Sequence, residues 1–370
     1  MTSPLDAIDW YGFLARPRLY APAPKIISAI AHQPILITGA GGSIGTALAH
    51  RLAGEGAQLI LLESSENSLY ELQSYFADLP HSSQPAFYLG SVADRSLLDE
   101  IFSLYLPRLV FHAAAYKHVP LLEDQPFAAI ENNIFASETL VAAAAANQAR
   151  IVLLSTDKAV APASIMGATK RVAEQIVLSS LSASHGTVLR LGNVLASHGS
   201  VSEVFARQLA RRRSLTVTDP AARRYFLTID EAVDLLISAA AAEPPALLAP
   251  DLTDPHFIAD LARFIAHSIA PDHEAPLEFT QLRAGDKETE QLWAANETPQ
   301  ALKSGSLLFI DSPTIPCAPL QSALASLRSA TKARDLSGAL AALRITVPDY
   351  SPSRTVLGSR TTTALQVSDD

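Results

Sequence analysis

Short apolar runs alternate with helix-length segments along the first half of the chain. The runs are Ile35–Thr38, Gln58–Leu62, Ala86–Leu89, Leu109–His112, Ile151–Leu154 and Thr187–Leu191. Runs this short and this continuously apolar are the pattern of strands buried on both faces. Between them, Ser43–Ala53 and Asn67–Phe76 repeat their apolar residues at helical spacing, and the alanine-rich Leu140–Ala146 reads as a buried helix face. Such strands separated by amphipathic helices predict βαβ units and a doubly wound parallel sheet covered by helices on both sides. The pattern loosens after Asn193, where Ala196–Arg224 mixes Gly, Ser, Arg and Pro, and a helical period returns at Phe257–Ile269.

The first run ends in Thr38-Gly39-Ala40-Gly41-Gly42-Ser43-Ile44-Gly45. Glycines there permit positive φ and let a phosphate approach the backbone, while the helix that follows aims free N–H groups and its positive dipole end at the same point. A strand, a glycine turn and a helix start in the first βαβ unit predict a Rossmann-type dinucleotide site. Glu63 closes the second strand. An acid at that position accepts hydrogen bonds from the adenosine ribose and repels a 2′-phosphate, so the cofactor expected is NAD rather than NADP.

These observations give an expected layout. Residues 1–33 form a leader broken by Pro17, Pro22 and Pro24; 34–192 form the Rossmann domain; 193–350 form a smaller, mainly substrate-binding lobe with some segments returning to the first domain. Residues 351–370 form a mobile tail rich in Ser and Thr.

With 48% hydrophobic and 18% charged residues in a chain of 370, a sizeable core is available. The net charge of −9 argues against broad nucleic-acid binding, and the triplet Arg211–Arg213 reads as a solvated helix end. A single cysteine, Cys317, excludes an internal disulfide and a multi-cysteine metal site and suits the cytoplasm. No His, Cys, Asp or Glu spacing suggests a metal, no secretory signal is visible, and no run approaches the roughly 20 apolar residues of a membrane span.

A second motif lies on the fifth run: Ser155-Thr156-Asp157-Lys158, followed twelve residues later by Lys170 in Met166-Gly-Ala-Thr-Lys170. The i, i+4 spacing puts Met166 and Lys170 on one helix face. This layout resembles the extended short-chain dehydrogenase/reductase superfamily, in which a tyrosine occupies the position of Met166; a thioether takes no proton, so that base is absent. The wider sequence resembles the polysaccharide-biosynthesis branch of nucleotide-sugar 4,6-dehydratases, of the UDP-N-acetylglucosamine 4,6-dehydratase type. The similar stretches are Ile37–Gly45, His112–Pro120 (HAAAYKHVP), Ser155–Glu174, Arg190–Val201 (RLGNVLASHGSV), Arg224–Thr228, Leu282–Lys287 (LRAGDK) and Val347–Tyr350. The branch includes members with Met at the tyrosine position. Departures from its pattern are Ser91 in place of an acid, Ala136 in place of Gly, and Ala284 and Asp286 in the late Arg-Pro-Gly-Glu-Lys motif.

The resemblance implies 4,6-dehydration of a UDP-linked amino sugar for surface glycan synthesis. It implies a C6-side acid at Asp157, a C5-side base at Lys158, Thr156 at the C4 oxygen and Lys170 on the nicotinamide ribose. The dinucleotide set is Gly39, Gly42, Ser43, Ile44, Gly45, Glu63, Ala113, Ala114 and Lys170. The UDP set is Lys117, Arg190, Asn193, Arg224 and Arg283, arginine forks being suited to a diphosphate. A homo-oligomer is expected. A sugar 4-epimerase or reductase of the same superfamily, and a non-catalytic dinucleotide-binding protein, stand as alternatives.

Overall fold

The computed structural model describes residues 3–19, 21–22, 24–77, 84–180, 186–243, 246–302 and 306–358. A nine-stranded sheet runs through it: β1 Ile35–Thr38, β2 Leu59–Glu63, β3 Ala86–Leu89, β4 Leu109–His112, β5 Arg150–Thr156, β6 Gly186–Leu191, β7 Ala246–Pro250, β8 Thr298–Ala301 and β9 Leu307–Asp311. The order across the sheet is β8-β9-β7-β6-β5-β4-β1-β2-β3. Neighbours from β7 to β3 are parallel, and β9 runs antiparallel to both β7 and β8. Every residue of β1, β2, β4, β6 and β7 is buried, which is why these strands read as continuous apolar runs rather than alternating ones. The doubly wound α/β fold expected from the sequence is the fold found.

Helices of eight or more residues are α1 Pro24–Ala31, α2 Ser43–Ala53, α3 Glu66–Ala77, α4 Arg95–Tyr105, α5 Ala136–Ala146, α6 Ile165–Ser180, α7 Val201–Ala210, α8 Ile229–Ala240, α9 Ile258–Ile269, α10 Cys317–Lys332 and α11 Leu336–Thr346. Helix α8 packs on α1, α2, β5 and β6. Helix α6 packs on α5, β5 and β6 and touches α10 and α11 as well. Leu140, Val141, Ala143 and Ala144 are the buried face of α5. The strand order reverses at β1, which has β2 on one side and β4 on the other. In such sheets the crevice outside the strand C-termini at the reversal is where ligands bind.

A second, smaller core combines Phe205, Leu215, Val217, Phe226, Ile258 and Leu261 with Leu5, Ile8, Phe13 and Leu14. This corrects the leader expected at 1–33. The prolines shape that segment without detaching it, because its apolar residues have two cores to enter: Leu5–Leu14 the small one, Ile27, Ile30 and Ala31 of α1 the large one. The region 193–350 is divided rather than a lobe: β7, β8 and β9 extend the main sheet, and α10 and α11 lie against α6. The expected tail is partly ordered. Residues 354–358 form a helical turn against Val119–Asp124 with Val356 fully buried, whereas 359–370 lie outside the described residues.

Candidate active site

A cavity of about 810 Å³ opens at the C-terminal ends of β1, β4, β5 and β6 and continues between the sheet and the small core. Gly39, Gly42, Ser43, Ile44 and Gly45 form one wall. Gly39 has φ +66°, and a Cβ there would lie 2.7 Å from the backbone N and Cα of Ala114. A Cβ on Gly45 would collide with the carbonyl of Gly39. Both positions therefore require glycine, one for conformation and the other for close packing of helix on strand. Gly42 caps α2 without a side chain, leaving the helix N-terminus open to an anion. This side-chain-free turn at an open helix N-terminus fits a dinucleotide pyrophosphate.

Beside it, Glu63 is fixed at the end of β2. Its carboxylate accepts hydrogen bonds from Gly41 N at 3.0 Å, Ser64 N at 2.8 Å and Ser65 N at 2.9 Å. Lys170 reaches the cavity from α6, and its Nζ donates to the Leu154 carbonyl at 2.6 Å. Burial pushes this ammonium down to about 8. Its neighbour His112 is sealed between Thr38 Oγ1 at 2.8 Å and Ser137 Oγ at 2.9 Å. Burial, aided by the Lys170 charge, depresses this imidazole to about 3, so it is a neutral strut between β1, β4 and α5.

The candidate reactive groups stand where β5 ends. Thr156 is the last strand residue, and Asp157–Ala159 turn tightly away. Lys158 Nζ donates to Asp157 Oδ1 and to Asn193 Oδ1, each at 3.0 Å, and lies 3.9 Å from Glu290 Oε1. Thr156 Oγ1 donates to Asp157 Oδ1 at 2.9 Å. Thr156, Lys158, Met166, Lys170 and Asn193 all line the cavity. Asp157 does not. It is fully buried, and its Oδ2 makes no hydrogen bond within the described structure.

Comparison with known proteins supplies the family. The family model described as polysaccharide biosynthesis protein matches residues 35–311. The chain belongs to that family. Probable polysaccharide biosynthesis protein EpsC of Bacillus subtilis is 38% identical over 297 residues, covering 77% of this chain and 49% of EpsC. The chain thus spans about half the length of that relative. A UDP-glucose 4-epimerase of Rickettsia felis is 30% identical over 284 residues, covering 73% of this chain and 80% of that protein. Among solved structures, Pen from Bacillus thuringiensis superposes with a TM-score of 0.70 at 26% identity, covering 77% of this chain and 89% of Pen. The UDP-glucose 4-epimerase of Thermus thermophilus, solved with NAD, shares the fold at a TM-score of 0.61 and 18% identity, covering 70% and 90%. The doubly wound architecture read from the sequence is the fold these structures share.

The remaining expected ligands divide sharply. Arg190 is withdrawn from the substrate set, because it is fully buried and its guanidinium is already saturated. It donates to Glu174 at 2.8 and 2.9 Å and to Glu297 at 2.6 and 3.0 Å, stitching α6 to the loop before β8. Burial alone would lift both carboxyls, but the Arg190 charge and hydrogen bonds overcome it, holding Glu297 at about 2 and Glu174 below the usual range. Its charge and placement in a family-like stretch mimic a ligand, and only the two distant glutamates distinguish the cases. Arg224 faces the cavity, yet its N–H groups serve the carbonyls of Arg223, Lys287 and Glu288 at 2.7, 2.8 and 3.0 Å. Arg283 lines the cavity with an exposed head 3.4 Å from Asp286. Lys117 lines it too, donating to the His198 carbonyl at 2.5 Å, with burial lowering its pKa. Ala113 is on the wall, whereas Ala114 is spent packing against Gly39.

Several groups escape sequence reasoning. Asn133 sits on a one-turn π-helix, Glu131–Phe135, between α5 and the short helix before it. Its amide binds Tyr116 N at 2.8 Å, Tyr116 O at 3.0 Å and Thr169 Oγ1 at 3.1 Å, fixing the cavity loop after β4. The signal was a polar pair inside an apolar helical stretch. Glu290 bridges Lys158 and Lys287, at 3.9 and 3.1 Å, from a loop with no periodicity to flag it. His198 N donates to Ser43 Oγ at 2.8 Å, drawing the post-β6 loop onto the glycine turn. Among the described residues no acidic, histidine or cysteine cluster could hold a metal, and no helix is long and apolar enough to cross a membrane.

Proposed function

We propose that the protein catalyses NAD-dependent 4,6-dehydration of a UDP-N-acetylhexosamine, UDP-N-acetylglucosamine being the first substrate to test. The observation that carries this is the amine of Lys158, held between Asp157 and Asn193 on a side chain that lines the same cavity as Met166. A lysine amine is thus available in the cavity where the superfamily's tyrosine base is missing. That suits removal of a C–H proton adjacent to a ketone better than simple alcohol oxidation.

The glycine turn, Glu63 and Lys170 would hold the dinucleotide, with Glu63 favouring NAD over NADP. When bound, the nicotinamide would supply a hydride acceptor for C4 and give the same hydride back at C6, leaving no net reduction. Thr156 presents its hydroxyl to the C4 oxygen. With C4 a ketone, the C5 proton becomes acidic and passes to Lys158. The C6 hydroxyl departs as water with a proton assigned to Asp157. That proton is the one the C4 hydroxyl gives up: cavity-facing Thr156, which donates to Asp157 Oδ1, would relay it to the carboxylate and back to the leaving hydroxyl, and Lys158 would return a proton to C5 as C6 is reduced. Arg283, Arg224, Lys117 and Asn193 line the part of the cavity assigned to the UDP-sugar. Cytoplasmic supply of an activated deoxysugar to surface glycan synthesis is the role this activity would serve.

The Rickettsia relative's name keeps 4-epimerisation as the second reading, in which C6 stays hydroxylated. Incubation with UDP-N-acetylglucosamine and NAD, followed by NMR, separates the two. A C6 methyl signal is expected; an inverted C4 with an intact C6 hydroxyl would select the epimerase.

A further inference from the structure

We infer that Arg16 is a positioning residue for the substrate side of the cavity, and that residues 3–19 are a working part of the site although they precede the family match. Arg16 forks onto Glu231, with Nη1–Oε1 at 2.6 Å and Nη2–Oε2 at 3.0 Å, and Nη2 also donates to the Phe226 carbonyl at 3.2 Å. Glu231 is fully buried and is already the capping partner of Thr228 at the start of α8. Leu19 N adds a hydrogen bond to the same carboxylate at 2.9 Å, and Arg18 pairs with Asp234 at 2.6 Å one turn on. Phe13 meets the Phe226 ring edge-on at 5.7 Å.

The strand held this way matters to the site. Phe226–Leu227 runs parallel to Asn193–Val194, with Phe226 opposite Asn193. Phe226 and Arg224 line the cavity, and Asn193 receives Lys158. A chain of direct contacts therefore leads from Arg16 to Phe226, from that strand to Asn193, and from Asn193 to the amine. A bidentate arginine sets position and angle together, which a lysine ammonium cannot do.

This inference rests on the nucleotide-sugar reading only for its probe, UDP. In the full chain, Arg16→Ala should weaken UDP binding at least about tenfold by calorimetry, the loss expected for a buried hydrogen bond to a charged group. NAD affinity should stay at the parent value, and Arg16→Lys should fall between. Hydrogen exchange should quicken at 224–228 and not at 35–38. Equal UDP affinity in parent and Arg16→Ala overturns the inference. If the parent itself binds no UDP, the functional reading fails instead, and the exchange at 224–228 decides the inference alone: unchanged rates overturn it. Should Arg16→Ala not fold, Arg16→Lys and Phe13→Leu carry the same comparison, and parent-like UDP affinity in both overturns it.

Discussion

Lys158 Nζ lies 3.0 Å from Asn193 Oδ1, a hydrogen bond that joins the end of β5 to the first residues beyond β6. With Asp157 Oδ1 also at 3.0 Å and Glu290 Oε1 at 3.9 Å, the amine is held by fixed oxygens on a side chain that lines the cavity. Lys158→Ala and Asp157→Asn should each lower kcat about 10²-fold or more, the contribution of a positioned acid or base. Asn193→Ala removes the aiming contact together with a group assigned to the UDP-sugar and should cost about tenfold or more. Parent-level turnover in both Lys158→Ala and Asp157→Asn would contradict the assigned roles.

Met166 lines the same cavity but has no proton to exchange. Met166→Ala should retain substantial turnover with UDP-N-acetylglucosamine. A loss as deep as that of Lys158→Ala would show that the thioether position does more than fill space.

Arg190 and Arg283 should separate stability from binding. Arg190→Ala leaves the buried carboxylates of Glu174 and Glu297 with Arg171 as their one remaining cation and should cost about 3 kcal/mol in denaturant unfolding. Arg283→Ala, on an exposed head at the cavity mouth, should leave unfolding unchanged and weaken UDP. A destabilised Arg283→Ala with parent UDP affinity would reverse the assignment.

The role proposed for Lys170 makes a pH-dependent cofactor affinity the expected outcome. Burial lowers its pKa to about 8, so the ammonium is present below that pH and lost above it. If the ammonium holds the nicotinamide ribose, NAD affinity falls as pH rises through about 8, and Lys170→Arg moves the fall out of range. For stability the sign is opposite. The unfolded chain binds this proton more tightly, so the Lys170 contribution to stability rises with pH from about 8 to the ordinary lysine range. NAD titrations from pH 6.5 to 9.5 check the first effect; affinity flat across that window excludes the role.

The strands of the nucleotide-binding half were legible because each is buried on both faces, and the glycine turn because Gly39 and Gly45 leave room for nothing larger. What stayed hidden depends on distant partners. Arg190 reads as a phosphate ligand until Glu297, more than a hundred positions on, occupies its guanidinium. The N-terminal segment reads as a leader until Phe13 and Arg16 find Phe226 and Glu231. Asp157 stands out in the sequence as a candidate acid, but its burial behind cavity-lining Thr156 and Lys158 does not.

The central claim is that an oxidation at C4 ends as a reduction at C6 with Lys158 exchanging the C5 proton. The measurement is one NMR experiment on product formed from UDP-N-acetylglucosamine deuterated at C4, run in ordinary and in heavy water. The account predicts the C4 deuterium at C6, solvent deuterium at C5 and no net reduction of NAD. Stoichiometric NADH with an intact C6 hydroxyl, or an epimerised sugar still deuterated at C4, would contradict it.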